Sequence, residues 1–149
     1  MSPVTKNPIL KNAGALLAGL VTGSLVNMAL VTVGPVLVPP PAGVDMTDMD
    51  SLAQSMHLMG PQHFVFPFLA HALGTLVGAT LTYLLAARNS FMLAFGIGLF
   101  FLLGGISAAR MIPAPTWFVV VDLLFAYLPM AWLATILGNH LKNGIKTTG

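Results

Sequence analysis

The sequence contains no cysteine and few charged residues of either sign. Without cysteine the chain has no disulfide bond, no thiolate metal site and no cysteine nucleophile. Charged residues make up 7% of its 149 residues, whereas soluble domains carry about 25%. There are therefore too few charges to cover a surface that faces water. The net charge of +2, from six Lys and Arg against four acidic residues, is also too small to indicate nucleic-acid binding.

The chain is instead rich in apolar residues: 56% of its residues are hydrophobic and its mean hydropathy is +0.88. They form four long runs, at residues 13–33, 64–87, 91–109 and 117–137. Each run approaches or exceeds the roughly 20 residues that a helix needs to cross the hydrocarbon core of a membrane. A helix satisfies its own backbone hydrogen bonds inside lipid. The sequence thus predicts an all-α integral membrane protein, a four-helix transmembrane bundle forming a single domain over residues 1–149.

The basic residues predict how this bundle is oriented. Five of the six would lie on one side of the membrane, namely Lys6, Lys11, Arg88, Lys142 and Lys146. Because cytoplasmic loops are enriched in Lys and Arg, both termini are predicted to be cytoplasmic, in a bacterial inner (plasma) membrane. The first run has an apolar core longer than that of a signal peptide and is followed by prolines, so we interpret it as a membrane helix.

The connection at residues 34–63 is the one long loop and is predicted to lie outside. Its prolines favour an extended segment over residues 34–44. Thr47 is then placed to cap a short helix, which Gly60 can stop. Four apolar residues recur at helical spacing: Met49, Leu52, Met56 and Met59. We therefore expect a short amphipathic helix in the outer loop, on the membrane face or across the mouth of the bundle.

Small residues form a stripe on each of the first two runs. They recur at four-residue steps and comprise Ala15, Gly19 and Gly23 in the first run and Ala70, Gly74, Gly78 and Thr82 in the second. Such stripes let helix backbones approach closely in membranes. The next step of the first stripe is Asn27, which is therefore predicted to face protein rather than lipid.

Polar residues on three runs share one depth. Counting about 1.5 Å per residue, Asn27, His71 and Asp122 lie roughly 8–11 Å below the outer end of their helices. Arg110, at the outer end of the third run, can reach the same layer. Ionisable residues inside a membrane are costly and indicate a functional site by default. The sequence predicts a vestibule that Asn27, His71, Arg110 and Asp122 line.

A purely structural alternative stays open for this layer. Asp122 can pair with Arg110 to fix the fourth helix against the third, while His71 and Asn27 bond to neighbouring helices. His71 is the most informative of these residues, because a neutral imidazole both donates and accepts and titrates near neutral pH.

The outer loop is a second candidate site. Its oxygen and imidazole donors are Asp45, Asp48, Asp50, His57 and His63. Together with the loop methionines they include ligand types that copper or another divalent ion accepts. Their spacing matches no zinc or calcium motif, so metal and cofactor are left open. No nucleophile elbow or phosphate-binding loop is present.

Three functions remain compatible with these patterns. The leading hypothesis is a small channel or transporter, homo-oligomeric because four helices enclose little volume, with a polar vestibule open to the outer side. The alternative is a non-catalytic accessory or scaffold subunit of a larger membrane complex. The third is an outer-face metal-binding protein or enzyme.

Overall fold

The computed structural model describes the backbone of residues 7–147 and the side chains of residues 7–144. Within these residues the chain is all helical, with no strand. Four helical segments are long and apolar enough to cross a membrane: Pro8–Leu37, Pro61–Leu85, Ser90–Met111 and Thr116–Gly144. Four helical segments that are long and apolar enough to span are therefore found at the four predicted runs. Of the basic residues used to orient the bundle, Lys6 lies outside the described residues, as does the side chain of Lys146.

The first helix, α1 (Pro8–Leu37), is longer than expected at both ends. The Asn7 side chain caps it by accepting a hydrogen bond from the Ile9 amide at 3.0 Å. The prediction of a non-helical segment from residue 34 is wrong for its first four residues, because Pro35 lies in the last turn. A proline there removes a single hydrogen bond. The helix ends at Leu37, since Val38, the residue before the proline run, is held outside the helical region at φ −125° and ψ 83°.

A short helix, α2 (Met49–Ser55), follows in the predicted stretch, and two 3-10 turns continue it at Met56–Leu58 and Pro61–Phe64. The predicted cap is wrong: the Asp48 carboxylate, not Thr47, accepts from the Asp50 amide at 3.0 Å. The Thr47 amide and hydroxyl donate to Asp45 instead. Four buried apolar residues hold this region on the bundle: Leu52, Met56, Phe64 and Phe118. Its placement on an outer membrane face stays a prediction.

The second and third spanning helices, α3 (Val65–Leu85) and α4 (Ser90–Met111), begin and end within two residues of the predicted bounds. The predicted small-residue stripes on α1 and α3 pack against each other, a pairing that the sequence pattern did not specify. A Cβ on Gly19 would lie 2.5 Å from the carbonyl oxygen of Gly78, and one on Gly23 would lie 2.6 Å from that of Gly74. Only glycine allows these backbones to approach so closely.

The fourth run is divided into α5 (Thr116–Phe125) and α6 (Leu128–Thr147). The sequence predicted one helix over residues 117–137, whereas the structure has a break at Ala126 and Tyr127. Pro129 is the second residue of α6, where a missing amide hydrogen leaves no helical bond unmade. The break changes the direction in which the Tyr127 side chain points.

We call the end of the bundle that carries residues 38–64 the loop end. A buried core of four alanines and one isoleucine lies between α3, α4 and α6 and comprises Ala79, Ala94, Ile97, Ala131 and Ala134. At the opposite end, the Asn12 side chain accepts from the Ala87 amide at 2.9 Å and donates to the Arg88 carbonyl at 3.2 Å. These contacts fix the α3–α4 connection to α1.

Candidate functional site

The centre of the site is a hydrogen-bonded pair formed by His71 on α3 and Asp122 on α5. His71 Nδ1 lies 2.8 Å from one carboxylate oxygen of Asp122 and 2.9 Å from the other. An ionised carboxylate only accepts, so Nδ1 carries the hydrogen. The Asp122 side chain is 6% exposed and that of His71 is 24% exposed. The carboxylate is therefore buried, while the imidazole ring reaches the surface of a cavity.

Tyr127 completes the pair as a second donor to the same carboxylate. Its hydroxyl donates to Asp122 Oδ2 at 3.0 Å, and its ring stacks on His71 with the centroids 5.6 Å apart. Gly105 on α4 makes room for this ring, since a Cβ there would lie 2.6 Å from Tyr127 Cζ. In a continuous helix, residues five apart point in different directions. The break between α5 and α6 is what allows Tyr127 to reach Asp122.

A cavity of about 260 Å³ lies beside this pair, between α1, α3 and α4. Its polar lining residues are Asn27, His71, Thr75 and Tyr127, and the remainder are apolar or small: Ala70, Gly74, Phe101, Gly104, Gly105 and Ala108. Ala108 is three residues from the end of α4 and Phe101 is ten, so the cavity extends from about 5 to about 15 Å below the loop end. It occupies the half of the bundle in which the polar layer was predicted.

Two buried polar atoms at this cavity have no hydrogen-bond partner in the described part of the chain. They are Oδ1 of Asn27 and Oγ1 of Thr75. Leaving a buried polar atom unpaired costs roughly 1–3 kcal/mol. The other threonines of α3 are satisfied, because Thr80 donates to the Leu76 carbonyl and Thr82 to the Ala15 carbonyl. The unpaired atoms thus belong to residues that line the cavity.

Two predicted vestibule residues, Asp122 and Arg110, do not line the cavity: Asp122 is buried and reaches it only through its hydrogen bonds to His71 and Tyr127. In the described part of the chain, Arg110 makes no such contact with the lining residues. It is exposed in the last turn of α4. The alternative Asp122–Arg110 pair is wrong, because within the described residues Asp122 forms its only ion pair with His71. The interhelical link therefore joins α5 to α3 rather than to α4.

Three of the five outer-loop candidates, Asp45, Asp48 and His63, form hydrogen bonds within the loop. Asp45 accepts from the amide and hydroxyl of Thr47, and the hydroxyl above all lowers the pKa of this carboxyl. Asp48 caps α2, and Asp50 and His57 are exposed. The two ring nitrogens of His63 lie 3.1 Å from the carbonyl oxygens of Gly60 and Pro39. The potential metal ligands of the loop are thus occupied mainly by hydrogen bonds to nearby backbone atoms.

No metal cluster is formed by the part of the chain that the structure describes. Nowhere in it do three or more His or Asp side chains come together in a group that could hold an ion. In the loop, one oxygen of Asp45 and one of Asp48 are already bonded to backbone amides. The structure therefore gives no support to a metal centre there.

Sequence reasoning missed two of the polar residues at the cavity. Tyr127 is absent from the predicted polar layer, because in one continuous helix it lies deeper than Asp122. Thr75 was not singled out, although it lies one turn after His71 and so on the same face of α3. That spacing could have identified Thr75. The only sequence feature that could have drawn attention to Tyr127 was Pro129, and the direction of the Tyr127 side chain was visible only in the tertiary structure.

No family model matches the chain, and neither a curated protein nor a solved structure is significantly similar to it.

Proposed function

We propose that this protein is a small channel or transporter of the plasma membrane, with the cavity of Asn27, His71, Thr75 and Tyr127 as a vestibule open to the outer side. Both termini are then cytoplasmic. Because four helices enclose little volume, several copies of the chain would surround the complete path.

The observation that carries this proposal is the open polar cavity beside a buried ionisable pair. If His71 and Asp122 served only to hold the helices together, we would expect both residues to be enclosed and every neighbouring polar atom to be hydrogen-bonded. Instead the His71 side chain is 24% exposed at a cavity of about 260 Å³, and two of the lining residues, Asn27 and Thr75, each have a buried polar atom that is unpaired within the described residues. A scaffold subunit has no need of such a cavity.

Single-cysteine variants test whether the vestibule opens outward, since the chain contains no cysteine to interfere. Gly104 lines the cavity, and a Cβ built on it meets nothing within 4 Å. A Gly104→Cys variant should react in intact cells with a membrane-impermeant maleimide. Ala42→Cys, on the exposed loop, is the positive control for the outer side.

Gly96→Cys is the matched negative control. Gly96 lies on the same helix, is exposed, and also has open space for a Cβ. It lies eight residues deeper, about 12 Å further from the loop end, and is not a lining residue. Labelling of Ala42→Cys and Gly104→Cys but not Gly96→Cys supports the proposal. Labelling of Gly104→Cys only from the cytoplasmic side, or only after solubilisation, contradicts it.

Flux through reconstituted protein tests transport itself. Proteoliposomes can be assayed by light scattering for entry of glycerol, urea and methylammonium chloride. Gly104→Leu should fill the cavity without touching the His71–Asp122 pair, and should reduce flux relative to Gly96→Leu. Wild-type protein that gives no flux above empty liposomes with any of these solutes, together with unlabelled Gly104→Cys, would favour the scaffold alternative.

A further inference from the structure

We propose that the end of the bundle opposite the loop binds the phosphate head group of an anionic phospholipid through Lys11, Arg88 and Lys142. We call these three residues the basic surface. It lies at the other end of the helices from the vestibule, so lipid binding there does not depend on transport by the protein.

Contacts with α1 place Lys11 beside the connection between α3 and α4. Asn12, the next residue of α1, donates from its side-chain amide to the Arg88 carbonyl at 3.2 Å. Its side-chain oxygen accepts from the Ala87 amide at 2.9 Å. The side chains of Lys11 and Arg88 are both exposed. The hydrogen bonds of Asn12 therefore hold the backbones that carry these two charges next to each other.

Lys142 joins the same region from α6. Its ammonium group donates to the Ser90 hydroxyl at 3.0 Å and lies 4.8 Å from the centre of the Tyr83 ring. α6 approaches that ring closely at Gly138, one turn before Lys142, where an added Cβ would lie 2.5 Å from Tyr83 Cδ1. Because Ser90 is two residues after Arg88, the Lys142 ammonium is fixed near the Arg88 backbone.

The length of α3 places the basic surface at the level of lipid head groups. α3 has 21 residues, which at 1.5 Å per residue span about 31 Å, close to the thickness of the hydrocarbon core. When α3 crosses the membrane, the residues just after it therefore emerge among the head groups. Arg88 is the third residue after the end of α3, and the hydrogen bonds of Asn12 and Ser90 keep Lys11 and Lys142 at the same level.

The acidic side chains of the chain lie in its other half. There are four of them in the sequence: three are in the loop, and Asp122 is the seventh residue of α5, which begins at the loop end. The one ion pair among the described residues, between His71 and Asp122, is accordingly in that half. An anionic head group supplies the negative charge that acidic side chains do not supply at the basic surface. Each basic residue at the surface of an anionic membrane raises affinity about fivefold.

Exposed apolar side chains flank the basic surface and favour a lipid over a free anion. Six large ones lie within four residues of Lys11, Arg88 or Lys142 in the sequence: Ile9, Leu10, Leu85, Phe91, Met92 and Leu141. Acyl chains can pack against these side chains while the phosphate contacts the basic residues, whereas a free phosphate ion gains nothing from them. Basic and apolar groups at one end of the bundle therefore indicate a phospholipid.

Native mass spectrometry of the wild-type protein in detergent can compare dioleoylphosphatidylglycerol with dioleoylphosphatidylcholine, which have the same acyl chains. Phosphatidylglycerol should bind at least about tenfold more tightly, and added salt should reduce that preference. Equal affinity for the two lipids overturns the proposal. Sodium phosphate is the control for a free anion: if it displaces phosphatidylglycerol at equal concentration, the surface binds inorganic phosphate and the lipid assignment is wrong.

Variants assign the binding to the basic surface. Lys11→Gln and Arg88→Gln remove exposed charges and should each weaken phosphatidylglycerol binding about fivefold, with phosphatidylcholine binding unchanged. Arg110→Gln removes an exposed charge at the loop end and is the matched control, which should leave phosphatidylglycerol affinity unchanged. A loss in Arg110→Gln as large as that in Arg88→Gln would show that net charge alone sets the affinity and would refute the site. The wild-type preference between the two lipids decides the ligand class even if a variant does not fold.

Discussion

Replacing Gly78 with alanine should disrupt the contact between α1 and α3. The added Cβ would lie 2.6 Å from the Gly19 carbonyl oxygen and 3.3 Å from the Cα of Gly23. Both are backbone atoms, so no side chain can rotate away. Restoring the first distance to 3.4 Å, where ordinary van der Waals contact begins, requires α1 to move by 3.4 − 2.6, or about 0.8 Å.

The expected change in the free energy of unfolding is the difference between two opposing effects. Overpacking of a close contact costs about 1–3 kcal/mol. Alanine gains roughly 0.8–1.0 kcal/mol over glycine in a helix. Gly96→Ala is the matched control because its Cβ would meet nothing within 4 Å, so that it has only the second term. Gly78→Ala should therefore be less stable than Gly96→Ala by about 1–3 kcal/mol.

Reversible unfolding in mixed detergent and SDS micelles, followed by circular dichroism, measures both free energies. The comparison between the two variants cancels the intrinsic helix term and leaves the packing term. If the free energies of unfolding of Gly78→Ala and Gly96→Ala agree within about 0.5 kcal/mol, the stripes on α1 and α3 do not pack as closely as the distances indicate.

Two further predictions concern the ionisable groups. In a double-mutant cycle, His71→Leu and Asp122→Asn should show a coupling energy of about 1–3 kcal/mol in detergent unfolding, and strictly additive losses would show that the pair contributes nothing. In the loop, the Thr47 hydroxyl lowers the pKa of Asp45. Because this folded-state pKa is depressed, its stabilising effect is present above the unfolded value and is lost as the pH falls through the folded one. NMR titration of Thr47→Ala should show the Asp45 pKa rising toward its ordinary value of 3.8, and an unchanged pKa would contradict the assignment.

The sequence alone determined the number of long apolar helical segments and the approximate bounds of the second and third. Hydropathy and length are local properties of each run, so α3 and α4 begin and end within two residues of the predicted positions. Local patterns also identified the small-residue faces of α1 and α3, whereas their contact with each other was seen only in the tertiary structure. Residues four apart share one helical face, and glycine is needed wherever two backbones meet. The position of Asn27 on that face followed from the same spacing.

The partners of the polar residues depended on the tertiary structure. A depth estimate placed His71, Asp122 and Arg110 in one layer, but it contains no information on the rotation of each helix about its axis. That rotation directs Asp122 toward α3 and leaves Arg110 exposed at the loop end. The choice between an Asp122–Arg110 pair and a His71–Asp122 pair was therefore not available from residue counting.

The cavity, too, was decided only by the tertiary structure. Hydropathy treats residues 117–137 as one run, yet the break at Ala126 and Tyr127 directs the tyrosine hydroxyl back to Asp122, and Gly105 on α4 admits its ring. A void arises where three helices fail to fill the space between them, and no single helix carries that information. The sequence thus determined which residues lie at one depth, whereas the packing of α1, α3 and α4 determined which of them share a cavity.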